Sequence, residues 1–286
     1  HFKVPVYLCY LEGQYLQNTK VCLDERFGET YATMSLLFSK EDVEKLSVEE
    51  MDDIINEKFR RNEYAWNKEK KIKWNTRGRI CHRLEDFCYK CPKCGKEFTM
   101  KGVGNQIICS NCGNGATMDD YYEFHPFDGA VIPESPFDWV EQERMDIIKE
   151  IRENPDYYFE DECEIGNLDE YKLVGKNKTS FIVGEGKIRI DHQGLHYKGT
   201  RNGTPYEFHA DYRSLYTLIT EVDSSFFNFY LDGVYFDIFP KHQTVGKFSL
   251  LVEEMHRYHI NMYKNFKWND YMYEGMELGI DLKNEK

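Results

Sequence analysis

The tightest constraint on how these 286 residues fold is a pair of matched loops, Cys91-Pro92-Lys93-Cys94-Gly95 and Cys109-Ser110-Asn111-Cys112-Gly113, which together read C-x2-C-x14-C-x2-C. Each loop brings two sulfurs to one point, and two loops on facing hairpins complete a tetrahedron, the arrangement of a four-thiolate zinc site. Gly95 and Gly113, directly after the second cysteine of each pair, can take the left-handed turn that aims backbone N–H groups at thiolates. One structural Zn²⁺ per chain is therefore expected on Cys91, Cys94, Cys109 and Cys112, in a closed shell with no position left for water. A set of buried free thiols would not require two matched C-x2-C-Gly loops. Lys90, Lys93, Lys96 and Lys101 are expected to offset the negative charge of the centre. Cys88 also forms a C-x2-C pair with Cys91; Gly95 favours Cys91 with Cys94 and makes Cys88 a strand residue. Cys9 and Cys22 are expected to be small buried hydrophobes.

Nine cysteines, an odd number with four in metal spacing, favour thiolates in a reducing compartment over disulfides. The expected location is cytoplasmic, and the Asn-x-Thr triplets at Asn177 and Asn202 are read as chance matches. The longest apolar run, Val4 to Leu11, is strand-sized and far from the ~20 residues that span a bilayer. A formal charge of −13 disfavours broad nucleic-acid binding. The charge is unevenly spread: residues 60–83 hold nine Lys/Arg against two acids, and residues 134–164 hold three against twelve. The first stretch, with Tyr64, Trp66 and Trp74, suits either a contact with an anionic membrane surface or a solvated linker facing the acidic segment, and pairing within the chain is the expectation.

Val4 to Leu11 reads as a buried strand, and residues 20–38 as two further β-like runs broken at Gly28. Ser39-x-x-Asp42 and Ser47-x-x-Glu50 have the form of capping boxes, the second opening a helix with Met51, Ile54, Ile55 and Phe59 at helical spacing. Trp139, Val140, Ile147, Ile148 and Ile151 predict a helix over 136–153 closed by Pro155. Beyond residue 164 the chain is β-rich: Asn202-Gly203 and Asp232-Gly233 are two-residue turns, the second joining the alternating arms 227–231 and 234–238. A helix follows over 244–263, with Val245, Phe248, Val252, Met255 and Met262 in one stripe. Antiparallel strands closed by one amphipathic helix outline a pleckstrin-homology-like (PH-like) barrel. Lys176, Lys178, Lys187 and Arg189 are its candidate headgroup cations, although residues 164–266 balance twelve Lys/Arg against thirteen acids, so that packing or protein docking is the preferred role.

The segment Val4-Pro5-Val6-Tyr7-Leu8, continuing to Gly13, Val21 and Phe27-Gly28-Glu29, resembles the end of the glycerolipid acyltransferase domain that makes phosphatidic acid. The resemblance covers residues 1 to about 60 and implies that Pro5 and Val6 belong to a motif that shapes the substrate site. The order of acyltransferase tail, CPxCG ribbon, acidic helix and barrel is similar to the C-terminal half of bacterial 1-acylglycerol-3-phosphate acyltransferase-like proteins. That resemblance implies transfer of an acyl group from an acyl donor to a lysophospholipid hydroxyl, with a histidine base oriented by aspartate in a His-x4-Asp motif. None of the nine histidines has an aspartate five places on, and Glu12-Gly13 runs into Gln14-Tyr15 instead of the family's Glu-Gly-Thr-Arg. No G-x-S-x-G elbow or phosphate-cradling P-loop replaces them, and His256 and His259, three apart, have no further ligand at metal spacing.

The expected fold is therefore α+β and multidomain: residues 1–66 a remnant of an acyltransferase-like α/β domain, 67–83 a basic linker, 84–130 the zinc ribbon, 134–163 an acidic connecting helix, 164–266 the PH-like β-barrel with its helix, and 267–286 a tail. The expected function is the accessory half of such an acyltransferase, inactive by itself, with catalytic motifs upstream and with lysophospholipid and acyl donor as the parent's ligands. The alternative is a non-enzymatic adaptor that uses ribbon and barrel to bind a protein partner or a membrane surface, peripheral at the inner face of the membrane.

Overall fold

The computed structural model describes residues 3–20, 24–167, 180–260 and 270–279. No helix among them is long and apolar enough to cross a membrane. The N-terminal segment contains β1 (Val6–Glu12), the single turn α1 (Gln14–Gln17), β2 (Tyr31–Phe38), α2 (Lys40–Lys45), α3 (Val48–Phe59) and α4 (Glu63–Lys70). Both expected capping boxes are formed: the Ser39 and Ser47 hydroxyls accept from the backbone of Asp42 and Glu50, whose carboxylates accept in return from the capping N–H groups. β1 and β2 pair antiparallel as a separate two-stranded sheet. The expectation of a buried strand at Val4 to Leu11 is corrected: Tyr7 is 62% and Leu11 55% exposed, because nothing among the described residues covers one face of the pair. Cys9, on that face, is exposed rather than buried. Cys22 lies outside the described residues.

Residues 67–83, expected as a solvated linker, are instead half core. Ile72, Trp74, Ile80 and Cys81 are buried in one cluster with Leu16, Cys88, Met100, Ile107, Met118, Tyr122 and Trp139. Gly28 lies flat against the Trp74 indole, whose ring leaves no room there for a side chain. The charges of the basic stretch point outward to carboxylates, two of them in the ribbon: Lys71 pairs with Glu123 and Lys73 with Asp120, while Lys68 reaches Glu134 and Arg79 reaches Asp24. Pairing within the chain is thus found, and Lys68–Glu134 links residues 60–83 to the acidic segment 134–164.

The ribbon is a four-stranded antiparallel meander, β3 (Met100–Val103), β4 (Gln106–Cys109), β5 (Gly115–Met118) and β6 (Phe124–Pro126). α5 (Pro136–Glu153) follows where predicted, with Ser135 as its N-cap and Pro136 in its first turn. Its apolar stripe faces two ways: Trp139 packs into the ribbon cluster, and Ile147 and Ile151 pack into the second core.

That second core lies under a seven-stranded antiparallel sheet of β7 (Tyr158–Asn167), β8 (Phe181–Asp191), β9 (Gly194–Arg201), β10 (Thr204–Ala210), β11 (Ile219–Thr220), β12 (Phe227–Leu231) and β13 (Val234–Pro240), covered by α6 (Val245–His259). The strand order β10-β9-β8-β7-β13-β12-β11 joins a four-strand meander to a three-strand one through β7 and β13. The expected barrel is corrected: β10 and β11 are edges with no strand between them, so the sheet is open among the described residues. Its first strand starts at Tyr158, ahead of the expected boundary at 164. Both predicted hairpin turns form, with Asn202, Gly203, Asp232 and Gly233 all at positive φ, as a two-residue turn between right-twisted strands requires. Of the candidate headgroup cations, Lys187 pairs with Glu160, and Arg189 pairs with Asp191 and lies over the Tyr158 ring. Lys176, Lys178 and Met262 lie outside the described residues. In the expected tail, Met272 and Tyr273 are buried beside Ile148.

α6 ties the two cores together. The Lys247 ammonium, 5% exposed, donates to both oxygens of Glu97 in the ribbon at 2.8 and 2.7 Å. Arg144 of α5 pairs with Glu253 and Glu254 of α6. A buried charge is tolerable only when answered in this way.

Candidate metal centre

The first knuckle is closed by the isolated bridge Lys90↔Glu97, and the second lies between β4, which ends at Cys109, and β5. In each, the glycine after the second cysteine has positive φ, +70° at Gly95 and +73° at Gly113, and donates its N–H to the first cysteine's carbonyl at 2.9 Å. A side chain at either position would be strained by that φ. The two turns are copies of one device, as the repeated C-x2-C-Gly pattern implies.

The loops bring the four sulfurs together. Cys91 Sγ lies 3.7 Å from Cys112 Sγ and Cys94 Sγ 3.8 Å from Cys109 Sγ, and all four are within 4.8 Å of one another. Sulfurs bound at about 2.3 Å to one tetrahedral metal stand about 3.8 Å apart. Cys91, Cys94, Cys109 and Cys112 thus form a cluster that could hold a metal ion, and every predicted ligand is in it.

Backbone N–H groups aim at the sulfurs: those of Cys94 and Lys93 at Cys91, those of Cys112 and Asn111 at Cys109, that of Lys96 at Cys94 and that of Asn114 at Cys112. Side chains add to them. The Thr99 hydroxyl is 3.2 Å from Cys109 Sγ, and Asn111 and Asn114 direct Nδ2 at Cys94 and Cys91 from 3.6 and 3.7 Å. Against the desolvation of burial, the Thr99 hydroxyl and the two backbone N–H groups bring the Cys109 thiol down to about 6. The lysines hydrogen-bond away from the sulfurs: Lys90 goes to Asp146 and Glu150, Lys93 to Gly129 O, Lys96 to Asn111 and Lys101 to Gln243. The groups that point directly at the sulfurs are N–H dipoles and the Thr99 hydroxyl.

Sequence reasoning missed the supports. Asn114, 2% exposed, joins the centre to the loop behind it by exchanging hydrogen bonds with Val131 O and N at 2.8 and 2.7 Å. The residue before Cys91 is held at both backbone ends by α5, since Lys90 N donates to Glu143 Oε1 at 2.7 Å and Lys90 O accepts from Trp139 Nε1 at 2.9 Å. Burial drives the Glu143 carboxyl well above its ordinary range. The two asparagines flanking Cys112 were the readable signal; the α5 contacts had none. Cys88 is fully buried in a bend, neither a strand residue nor a member of the cluster, and burial pushes its thiol up.

Elsewhere, Pro5 and Val6 stand exposed at the start of β1. The tertiary structure also forms histidine–aspartate pairs that a fixed-spacing scan could not find: His242 with Asp161 at 2.6 Å, His125 with Asp119 at 2.8 Å and His196 with Asp191 at 3.0 Å. None of them lines the apolar cavity beside α4 and α5, whose lining histidine is His82. His256 is buried on Tyr212 O, and His259 meets His192 at 3.1 Å. No family model matches the chain, and no curated protein and no solved structure matches it either.

Proposed function

We propose that this chain is the accessory half of a bacterial phospholipid acyltransferase-like protein, a zinc-held ribbon and PH-like sheet that carry the edge of a larger α/β domain. The observation that carries the reading is the uncovered face of the β1–β2 pair. Tyr7, Cys9 and Leu11 of β1 stand directly opposite Leu36, Met34 and Ala32 of β2, so six small or apolar side chains share one side. Met34 is 73% and Leu36 52% exposed. A two-stranded sheet is marginal by itself, and an exposed apolar face of this kind marks a docking surface. Further strands and a helix of an α/β domain would cover it, which is what the resemblance over residues 1–60 implies. Pro5 and Val6 would then lie within that domain rather than at a surface.

The metal proposed for the cysteine cluster is Zn²⁺, because a closed tetrahedron of four thiolates suits it and leaves no site for a reacting water. Its role is to hold the ribbon that joins the N-terminal segment to the sheet. The gene region upstream of His1 tests the reading: a His-x4-Asp motif is expected there, and the extended protein is expected to acylate lysophosphatidate while this chain alone does not. A natural chain without that motif refutes the reading and leaves an adaptor whose apolar face meets a separate protein. Acyl transfer by the present chain that survives re-purification refutes it equally.

A further inference from the structure

Between α1, α4, the 3-10 turn Leu84–Asp86 and the first turns of α5 lies a cavity of about 460 Å³, a volume within the range of small-molecule sites, roughly 300–1,000 Å³. Tyr15, Tyr64, Leu84, Phe87, Phe137 and Val140 are among its walls. Tyr15 meets Tyr64 edge to face at 6.0 Å and Tyr64 meets Tyr122 at 5.7 Å, so the rings stand at steep angles to one another and present both faces and edges. Burial raises the Tyr15 and Tyr64 phenol pKa values above their ordinary 10, which keeps both hydroxyls uncharged.

The ionic groups on this lining are already engaged. Arg61 is shared between Glu12 at 3.0 Å and Glu63 at 2.6 Å, and Glu63 also accepts from Gly13 N. Arg144 reaches Glu253 and Glu254 of α6 and lies 3.9 Å from Glu141. Arg26 lies over the Tyr122 ring and donates to the Thr19 and Tyr122 hydroxyls and to Ile80 O. Lys20 and His82 are exposed to solvent, and the Lys20 ammonium rests on the Thr220 hydroxyl at 2.9 Å. A charged occupant would surrender its hydration to groups that are paired with one another, a cost with no matching return. An uncharged ring loses only unfavourable apolar hydration and gains contact with the aromatic walls.

We propose that this cavity binds a small uncharged aromatic molecule, its ring system among the Tyr15, Tyr64 and Phe87 side chains. The site is built wholly from this chain and does not depend on what covers the β1–β2 face. Because that face is also apolar, the test must separate the two. The probe is N-phenyl-1-naphthylamine, titrated by fluorescence into the metal-loaded chain. One site per chain is expected, with affinity at least about tenfold weaker in Val140→Trp, which fills the cavity. Leu84→Trp, on the half-buried 3-10 turn, is expected to do the same and serves if Val140→Trp does not fold. The double variant Met34→Glu/Leu36→Glu is expected to keep the affinity within about twofold. The dye 8-anilinonaphthalene-1-sulfonate, which has the same rings and a sulfonate, is expected to bind at least about tenfold more weakly, and the uncharged chain of dodecanol to displace the probe poorly. Probe binding that is lost in Met34→Glu/Leu36→Glu and kept in the cavity variants overturns the proposal, as does the lack of a saturable site. Equal or tighter binding of the sulfonate overturns its uncharged part, and tight displacement by dodecanol overturns its aromatic part.

Discussion

Trp74 decides whether the basic stretch is a linker or part of the core. Its side chain is 0% exposed, its Nε1 donates to Asn67 Oδ1 at 3.1 Å and its backbone N–H donates to Asp120 O at 2.8 Å. Truncating a fully buried tryptophan costs about 3–5 kcal/mol, and the lost side-chain hydrogen bond adds about 1 kcal/mol. Gly28 offers an independent lever on the same ring. A Cβ at that position would stand 2.5 Å from Cδ2 and Cε3 of the indole and 2.9 Å from Cε2, well inside contact distance. Gly28→Ala should therefore cost about 1–3 kcal/mol through overpacking. In the Trp74→Ala background the new methyl enters vacated space, and the same substitution should cost close to nothing. The four proteins of this cycle, unfolded in urea and followed by far-UV circular dichroism, should show a coupling of roughly 1–3 kcal/mol. Additivity within about 0.5 kcal/mol refutes the packing of Gly28 on Trp74. A loss below about 1 kcal/mol for Trp74→Ala, the size of a surface change, refutes the core assignment itself.

Elemental analysis is expected to return one zinc per chain, and Cys94→Ser to release it and unfold the knuckles while the hairpins at Asn202-Gly203 and Asp232-Gly233 keep their amide protection; well under one metal ion per chain, or stoichiometric iron, refutes the zinc reading. His242 Nδ1 bonds to Asp161, and that bond with the carboxylate's charge raises the His242 pKa above its ordinary 6.5. The stabilisation from the charged pair is therefore fully present below pH 6.5 and fades as pH rises through the raised folded-state pKa. His242→Ala should cost more stability at pH 6 than at pH 9, and an equal loss at both refutes the pairing. Because Lys71, Lys73 and Arg79 already face Glu123, Asp120 and Asp24, co-sedimentation with anionic vesicles should be weak at low salt; strong binding abolished by Lys70→Gln, Lys71→Gln and Lys73→Gln together contradicts this.

What could be read before folding was what short-range rules decide. The capping hydroxyls of Ser39 and Ser47 act three residues away, the Asn202-Gly203 and Asp232-Gly233 turns depend on the φ of two residues, and α5 is one uninterrupted apolar period ended by a proline. The cysteine cluster belongs with them, because each knuckle is a closed local turn and only the meeting of two like knuckles is long-range. The same local rules are silent on what lies against each element. β1 has the composition of a buried strand, yet its Tyr7 face is open because burial depends on neighbours that no β pattern names. Trp74 and Ile80 sit among lysines and arginines whose charges suggest a solvated run, but side-chain direction put the indole inside and the ammonium groups outside. The openness of the seven-stranded sheet depends on where β10 and β11 end in space, which hairpin turns do not encode. Asn114, Glu143 and the His242–Asp161 pair act across 17, 53 and 81 positions of sequence. Contacts of that separation form only after the chain has collapsed around its two cores, so tertiary structure decided the support of the metal centre, while local sequence had already decided its ligands.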